Sequence, residues 1–72
     1  MNEDIHTRIE SDFSYHSPKP GQAEIYTMLR DTAKELALMI ADQVPVGREQ
    51  STALTHLEAC VMFANAGVAR KG

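Results

Sequence analysis

Residues 13–21, which read FSYHSPKPG, bring aromatic, imidazole and ammonium groups together in a short segment. Tyr15 offers a ring that can stack on a planar ligand, and Lys19 offers a cation for an anionic group. The two prolines and the closing glycine break the helical pattern and favour an extended or turning chain. The segment is therefore either a ligand-binding lip that contains Tyr15, His16 and Lys19 or a loop whose rings pack on the core.

A basic pair lies four residues apart at Arg30 and Lys34. On a helix this spacing places both side chains on one face, one turn apart. Such a pair can bind an anionic ligand, and a phosphate is the obvious example. It is also compatible with a solvated face on which Arg30 pairs with Glu24, with Asp31 or with an acid of another chain.

Two polar residues near the end of the chain need partners. Asn65 lies among small and apolar residues in FANAG, and a buried amide is normally hydrogen-bonded. Its partner is a backbone carbonyl, the same residue of another subunit, or the edge of a ligand. Arg70 can complement the negative end of a helix, or it can reach an anion held between subunits.

No group of residues indicates catalysis. The serines lack a nucleophile context such as GxSxG, and His56 and Glu58 are two apart on a helix and point in different directions. There is no CxxC or HxxxH spacing for a metal and no glycine-rich phosphate loop. The sequence therefore disfavours an enzyme and predicts neither a metal nor another cofactor.

The hydrophobic periodicity predicts an all-α fold in one domain that spans residues 1–72. Gly21 and Gly47 are the expected N-caps of the two long helices. The short connection between these helices returns the chain antiparallel as a helical hairpin. The predicted elements are a short helix over 2–12, a loop over 13–21, and long helices over 22–44 and 48–70.

The helix predicted over residues 48–70 is apolar nearly all round. A surface helix normally carries one apolar stripe, so this one is expected to be covered on several sides. A chain of 72 residues has little core of its own, and its single cysteine, Cys60, excludes an internal disulfide. Cys60 is expected to be a small buried apolar residue. Other copies of the chain are the expected cover, with Met28, Leu38 and Met39 as candidates for the intersubunit face.

The composition limits the possible partners. The net charge of −3 argues against binding to polymeric nucleic acid, which needs a basic surface. No apolar run approaches the roughly 20 residues of a membrane span, and the N-terminus does not resemble a signal peptide. The expected location is therefore the cytoplasm, with no membrane partner.

Residues 13–70 resemble a phage family of helical-hairpin cyclic-nucleotide sponges, the anti-CBASS proteins and the related domain of anti-Thoeris sponges. The resemblance rests on five motifs that occur in order as FSYHSPK, AKELA, LTHLE, VMFANA and AR. Two positions depart from the expected family pattern. Phe63 replaces a tryptophan, and Arg30 replaces a lysine, which should preserve phosphate binding and alter ligand preference.

The resemblance implies a compact homo-oligomer, typically a hexamer, in the cytoplasm of an infected bacterium. Such proteins bind cyclic dinucleotides without cleaving them, and some also hold cyclic trinucleotides in separate pockets where three chains meet. The implied dinucleotide contacts are Tyr15, His16, Lys19, Arg30 and Lys34, with Tyr15 on a base and Arg30 or Lys34 on a phosphate. Asn65 and Arg70 are assigned to the second, trinucleotide pocket. The alternative function is a structural helical oligomer or scaffold without a small ligand.

Overall fold

The computed structural model describes residues 5–72, which form three α-helices. They are α1 (Ile5–Asp12), α2 (Gln22–Gln43) and α3 (Arg48–Lys71). The prediction of an all-α fold is confirmed, and the bounds predicted for the two long helices agree with the structure to within one residue at each end. The start of the predicted first helix, over residues 2–4, lies outside the described residues.

Glycine precedes both long helices, as the sequence predicts. Gly21 is the N-cap of α2 and has φ 86°, a left-handed conformation that a residue with a Cβ rarely adopts. Gly47 is the N-cap of α3 and is extended. Neither glycine has a side chain to bond the first amides of its helix. The start of each long helix is instead hydrogen-bonded to the end of the other helix, through Gln22 in α2 and Gln50 in α3.

Gln22, the first residue of α2, joins three parts of the chain. Its side chain is buried, with 5% relative exposure. Its Nε2 donates to the carbonyl oxygen of Val68 in the last turn of α3, at 3.0 Å, and its Oε1 accepts from the backbone N–H of Lys19, at 2.9 Å. This amide therefore ties the loop and the start of α2 to the end of α3.

Gln50, in the first turn of α3, does the same at the other end of the hairpin. Its Nε2 donates to the carbonyl oxygens of Ala41 and Val44, at 3.3 Å and 3.0 Å. These carbonyls lie at the end of α2, where a helix lacks its own donors. Because each helix begins beside the end of the other, α2 and α3 form an antiparallel hairpin, as predicted.

The helix α1 contacts the end of α3 through charge. Asp12 Oδ1 lies 3.4 Å from an Nη of Arg70, and Asp12 Oδ2 lies 3.8 Å from Nε of Arg8. All three side chains are at least about one-third exposed, and ion pairs of this kind stabilise a protein by only about 0–1 kcal/mol. The attachment of α1 in one chain is therefore weak.

The hairpin contains no fully buried apolar side chain among residues 5–72. The facing sides of α2 and α3 are only half-buried, with Leu29 and Ile40 on one helix and Leu57 and Val61 on the other. The prediction that Cys60 is buried is wrong for the single chain, where its thiol is exposed. The physical reason is that α2 covers only one side of α3.

Replacing Gln22 with alanine should lower the free energy of unfolding by about 1–3 kcal/mol. The change leaves the Lys19 amide without its acceptor and removes one of the two donors to the Val68 carbonyl, which still accepts the N–H of Gly72. An unpaired polar group carries a penalty of that size. Urea unfolding followed by circular dichroism, at one fixed protein concentration, measures the effect. Gln43→Ala is the matched control, because Gln43 is exposed at the other end of α2. Equal losses in the two variants would contradict the role given to Gln22.

Candidate functional site

An open groove of about 430 Å³ lies between α2 and α3. Residues of α2 at positions 30, 33, 34 and 37 line it, together with residues of α3 at positions 54, 57, 58, 61, 62 and 65. Both sets have the three-and-four spacing that keeps side chains on one helical face. The small side chains of Ala33 and Ala37 leave the space between the helices. Leu54, Leu57 and Val61 make much of the lining apolar.

Two cations lie at this groove without a charged partner. Arg30 and Lys34 are exposed and line it one turn apart. Neither Arg30 nor Lys34 lies within ion-pairing distance of an acidic side chain among residues 5–72. The suggested pairing of Arg30 with Glu24 or Asp31 does not occur in this part of the chain. The groove therefore presents two positive charges to an anionic ligand.

Asn65 lies at the same groove, on α3. Its Oδ1 is buried and accepts no hydrogen bond from residues 5–72. Nearly all buried polar atoms in proteins have a partner, so this oxygen is expected to accept a hydrogen bond from a ligand, another subunit or a water molecule. Of the two residues assigned to a second pocket, Asn65 is thus placed beside Arg30 and Lys34.

Arg70 lies elsewhere, in a cleft of about 300 Å³ between α1 and the end of α3. Arg8, Ser11, Asp12 and Lys71 line the same cleft. Arg70 is held by Asp12, at 3.4 Å, so an anion that approaches Arg70 competes with this carboxylate. Within one chain, Arg70 and Asn65 do not line a common cavity.

The three predicted residues of the loop do not line the groove either. Tyr15 projects into solvent with 84% relative exposure. His16 Nε2 lies 2.8 Å from the carbonyl oxygen of Ser11, and Lys19 Nζ donates to the carbonyl oxygen of Gly72 at 2.6 Å. Within one chain, His16 and Lys19 therefore hold the loop in place and leave the Tyr15 ring available.

Two site features were missed by reasoning from the sequence. The sequence suggests no role for Glu58 beyond a comparison with His56, although its spacing from Leu54 and Val61 places it on the groove face. Gln22 resembles the ordinary first residue of a helix. Residues 5–72 contain no cluster of three or more His, Cys, Asp or Glu side chains that could hold a metal. None of the helices in this part of the chain is both long and apolar enough to cross a membrane.

Comparison with known proteins identifies the fold. The family model described as Acb2/Tad1, hairpin domain, matches residues 5–69. The chain belongs to this family. The Acb2/Tad1 hairpin family is that of the anti-CBASS and anti-Thoeris sponges, so the resemblance seen in the sequence is confirmed. Membership implies binding of cyclic nucleotide signals, and the family is known for binding rather than for catalysis. No curated protein and no solved structure matches the chain.

Proposed function

We propose that this Acb2/Tad1 hairpin protein is a phage-encoded sponge of the host cytoplasm. It binds cyclic dinucleotides and sequesters them without cleavage, and it thereby blocks CBASS-type antiviral signalling. The observation that carries the proposal is the pair of cations at the groove, Arg30 and Lys34, which have no ion-pair partner among residues 5–72. In a family that binds cyclic nucleotide signals, unpaired cations beside an apolar surface fit a ligand made of phosphates and bases.

The two cations have different capacities. The Arg30 guanidinium can donate two parallel hydrogen bonds to one phosphodiester, whereas the Lys34 ammonium acts as a point charge. Arg30 is therefore the main phosphate contact, and Lys34 supports it. The surfaces of Leu57 and Val61 accept the flat, weakly polar parts of the ligand. The net charge of −3 meanwhile disfavours polymeric nucleic acid, whose many phosphates require a wide basic surface.

The aromatic loop completes this site from another copy of the chain. Tyr15 is 84% exposed and lies outside the groove of its own chain, so its stacking contact needs a subunit interface. The bonds of His16 and Lys19 to Ser11 and Gly72 fix the loop that presents Tyr15. His16 and Lys19 thus belong to the same site, with a positioning role in their own chain and a polar contact to the bound ligand.

The assembly we propose is a homo-oligomer, with a hexamer as the expected form. Large apolar side chains are exposed on both long helices, including Met28 at 67%, Met62 at 67% and Phe63 at 74%. Leu38 and Met39, the other predicted intersubunit residues, are also more than half exposed. Burial of such side chains removes apolar surface from water, which is the dominant favourable contribution to most protein association.

A second pocket for cyclic trinucleotides would lie where chains meet. Asn65 and Arg70 line different cavities of one chain, so this pocket would take Asn65 from one copy and Arg70 from another. The exposed apolar surface also suits a purely structural oligomer without a ligand, which is the alternative function. Ligand capture separates these two functions.

The function is tested by capture and release. The protein is incubated with an excess of binding sites over a cyclic dinucleotide, filtered, and then denatured by heat. We expect the nucleotide to be depleted from the filtrate and to reappear chemically intact after heating. Absence of depletion would favour the structural oligomer, and a cleaved product would show an enzyme.

Arg30→Ala should weaken binding of the dinucleotide by about 1.5–3 kcal/mol, because it removes a hydrogen bond from a charged donor to a phosphate. Isothermal titration calorimetry measures the loss. Arg70→Ala is the matched control, since it removes the same charge from a different cleft. It should leave dinucleotide binding unchanged and weaken any trinucleotide binding. Loss of both ligands in either variant, with the oligomer intact, would indicate one pocket instead of two.

Tyr15→Ala should cost about 1–3 kcal/mol of dinucleotide binding, the usual worth of a base–aromatic stack. Tyr15→Phe keeps the ring and should be much milder. The oligomer mass should not change, because the contact proposed for the ring is with the bound ligand and not with another subunit. Normal binding by Tyr15→Ala, measured by the same titration, would leave the loop without a role in the site.

Light scattering at micromolar concentration should give a mass well above the 8.0 kDa of one chain. Phe63→Glu should lower that mass, because it places an unpaired charge in an apolar interface. Ser51→Glu is the control, since it adds the same charge at an exposed position in the first turn of α3, where acids are favourable. A monomeric mass for the unaltered protein would refute the proposed assembly.

A further inference from the structure

Glu58 is an unexpected residue for a groove that binds phosphate. It lines the same groove as Arg30 and Lys34, from the opposite helix. Yet its carboxylate forms no ion pair with a lysine or arginine among residues 5–72. Glu58 therefore does not neutralise the two cations, and its own acceptor oxygens remain open.

A carboxylate restricts which part of a ligand can lie beside it. An ionised carboxylate only accepts hydrogen bonds, and a phosphodiester also only accepts them, so the two repel each other. The group that meets Glu58 must be a donor. In a cyclic oligonucleotide the donors are the N–H groups of the bases and any free ribose hydroxyl.

The bases differ in how well they satisfy two carboxylate oxygens. Guanine presents N1–H and N2–H side by side, so both can donate in parallel to one carboxylate, like the two N–H groups of an arginine fork. Adenine presents its N6–H beside the acceptor N1, whose lone pair faces the carboxylate. Uracil presents a single N–H between two carbonyl oxygens. Guanine is thus the base that a carboxylate at this position selects.

We propose that Glu58 is a specificity-determining residue that makes the groove prefer cyclic dinucleotides containing guanine. This inference rests on the proposed function, because it assigns a base to the site that Arg30 and Lys34 form with the phosphate. The arrangement of charges across the groove then matches the ligand. The two cations of α2 bind the phosphate, and the carboxylate of Glu58 on α3 binds the edge of the base.

The test compares two ligands that differ only in their bases, cyclic di-GMP and cyclic di-AMP, by isothermal titration calorimetry. The unaltered protein should bind cyclic di-GMP about tenfold or more tightly than cyclic di-AMP, the discrimination expected of one good bidentate contact. Glu58→Gln replaces one acceptor oxygen by a donor at nearly constant volume. It should lower affinity for cyclic di-GMP about tenfold and change that for cyclic di-AMP by less than about twofold.

Glu35→Gln is the matched control, since it makes the same change of charge at an exposed position of α2 outside the groove. It should leave the ratio of the two affinities unchanged. A fold or assembly defect in Glu58→Gln would weaken both ligands alike, so the ratio, and not either affinity, is the readout.

The outcomes separate this inference from the proposed function. Binding of both ligands by the unaltered protein without a preference for guanine overturns the role of Glu58 and leaves the sponge intact. A preference that survives in Glu58→Gln overturns it as well. If the unaltered protein binds neither ligand, the proposed function fails and takes this inference with it.

Discussion

The hairpin depends on two glutamine amides, one at each of its ends. Gln22 donates to the carbonyl of Val68, and Gln50 donates to the carbonyls of Ala41 and Val44. The last carbonyls of a helix lack donors from further turns of that helix. Gln50 supplies a donor to two carbonyls at the end of α2, and Gln22 supplies a second donor to the Val68 carbonyl, which also accepts the N–H of Gly72. Because both bonds run between α2 and α3, they fix how far one helix is shifted along the other. That register brings Arg30 and Lys34 of α2 opposite Glu58 and Asn65 of α3 at one groove.

These polar contacts are prominent because a single chain has so little apolar core. No apolar side chain is fully buried among residues 5–72, and Phe63 remains 74% exposed. Short chains bury a smaller fraction of their surface than large ones, so their stability is marginal and further cover stabilises them. The groove is open because the side chains between the helices are too small to fill it, as the alanines at positions 33 and 37 show. The exposed surface and the open groove therefore have a common origin, since several large apolar residues face outward while alanines occupy part of the surface between the helices.

Much of the secondary structure could be predicted from the sequence, because long helices have strong periodicity and clear glycine boundaries. The location of Arg30 and Lys34 on one face of a helix followed from their spacing of four residues. The burial of Gln22 did not, since the position of a helix-terminal amide depends on where the end of α3 comes to lie. The separation of Asn65 from Arg70 was also invisible to the sequence analysis. The two are five residues apart on one helix, and α1 draws Arg70 into its own cleft through Asp12. The exposure of Cys60 could not be predicted either, because its position in an apolar run does not reveal that α2 covers only one side of α3.

Charge pairing distinguishes the two cation sites of this Acb2/Tad1 hairpin domain. At the groove, Arg30 and Lys34 have no charged partner in the described part of the chain, so an anion can bind there without displacing a protein group. At the cleft, an anion must compete with Asp12 for Arg70. That competition is modest, because the pair is about one-third exposed and such pairs contribute only about 0–1 kcal/mol. Asp12 therefore orients the Arg70 side chain while the cleft is empty, and it can still be displaced by a phosphate that makes charge-assisted hydrogen bonds. In the proposed function, the groove therefore binds an anion without losing an ion pair, whereas the cleft would exchange one anionic partner for another.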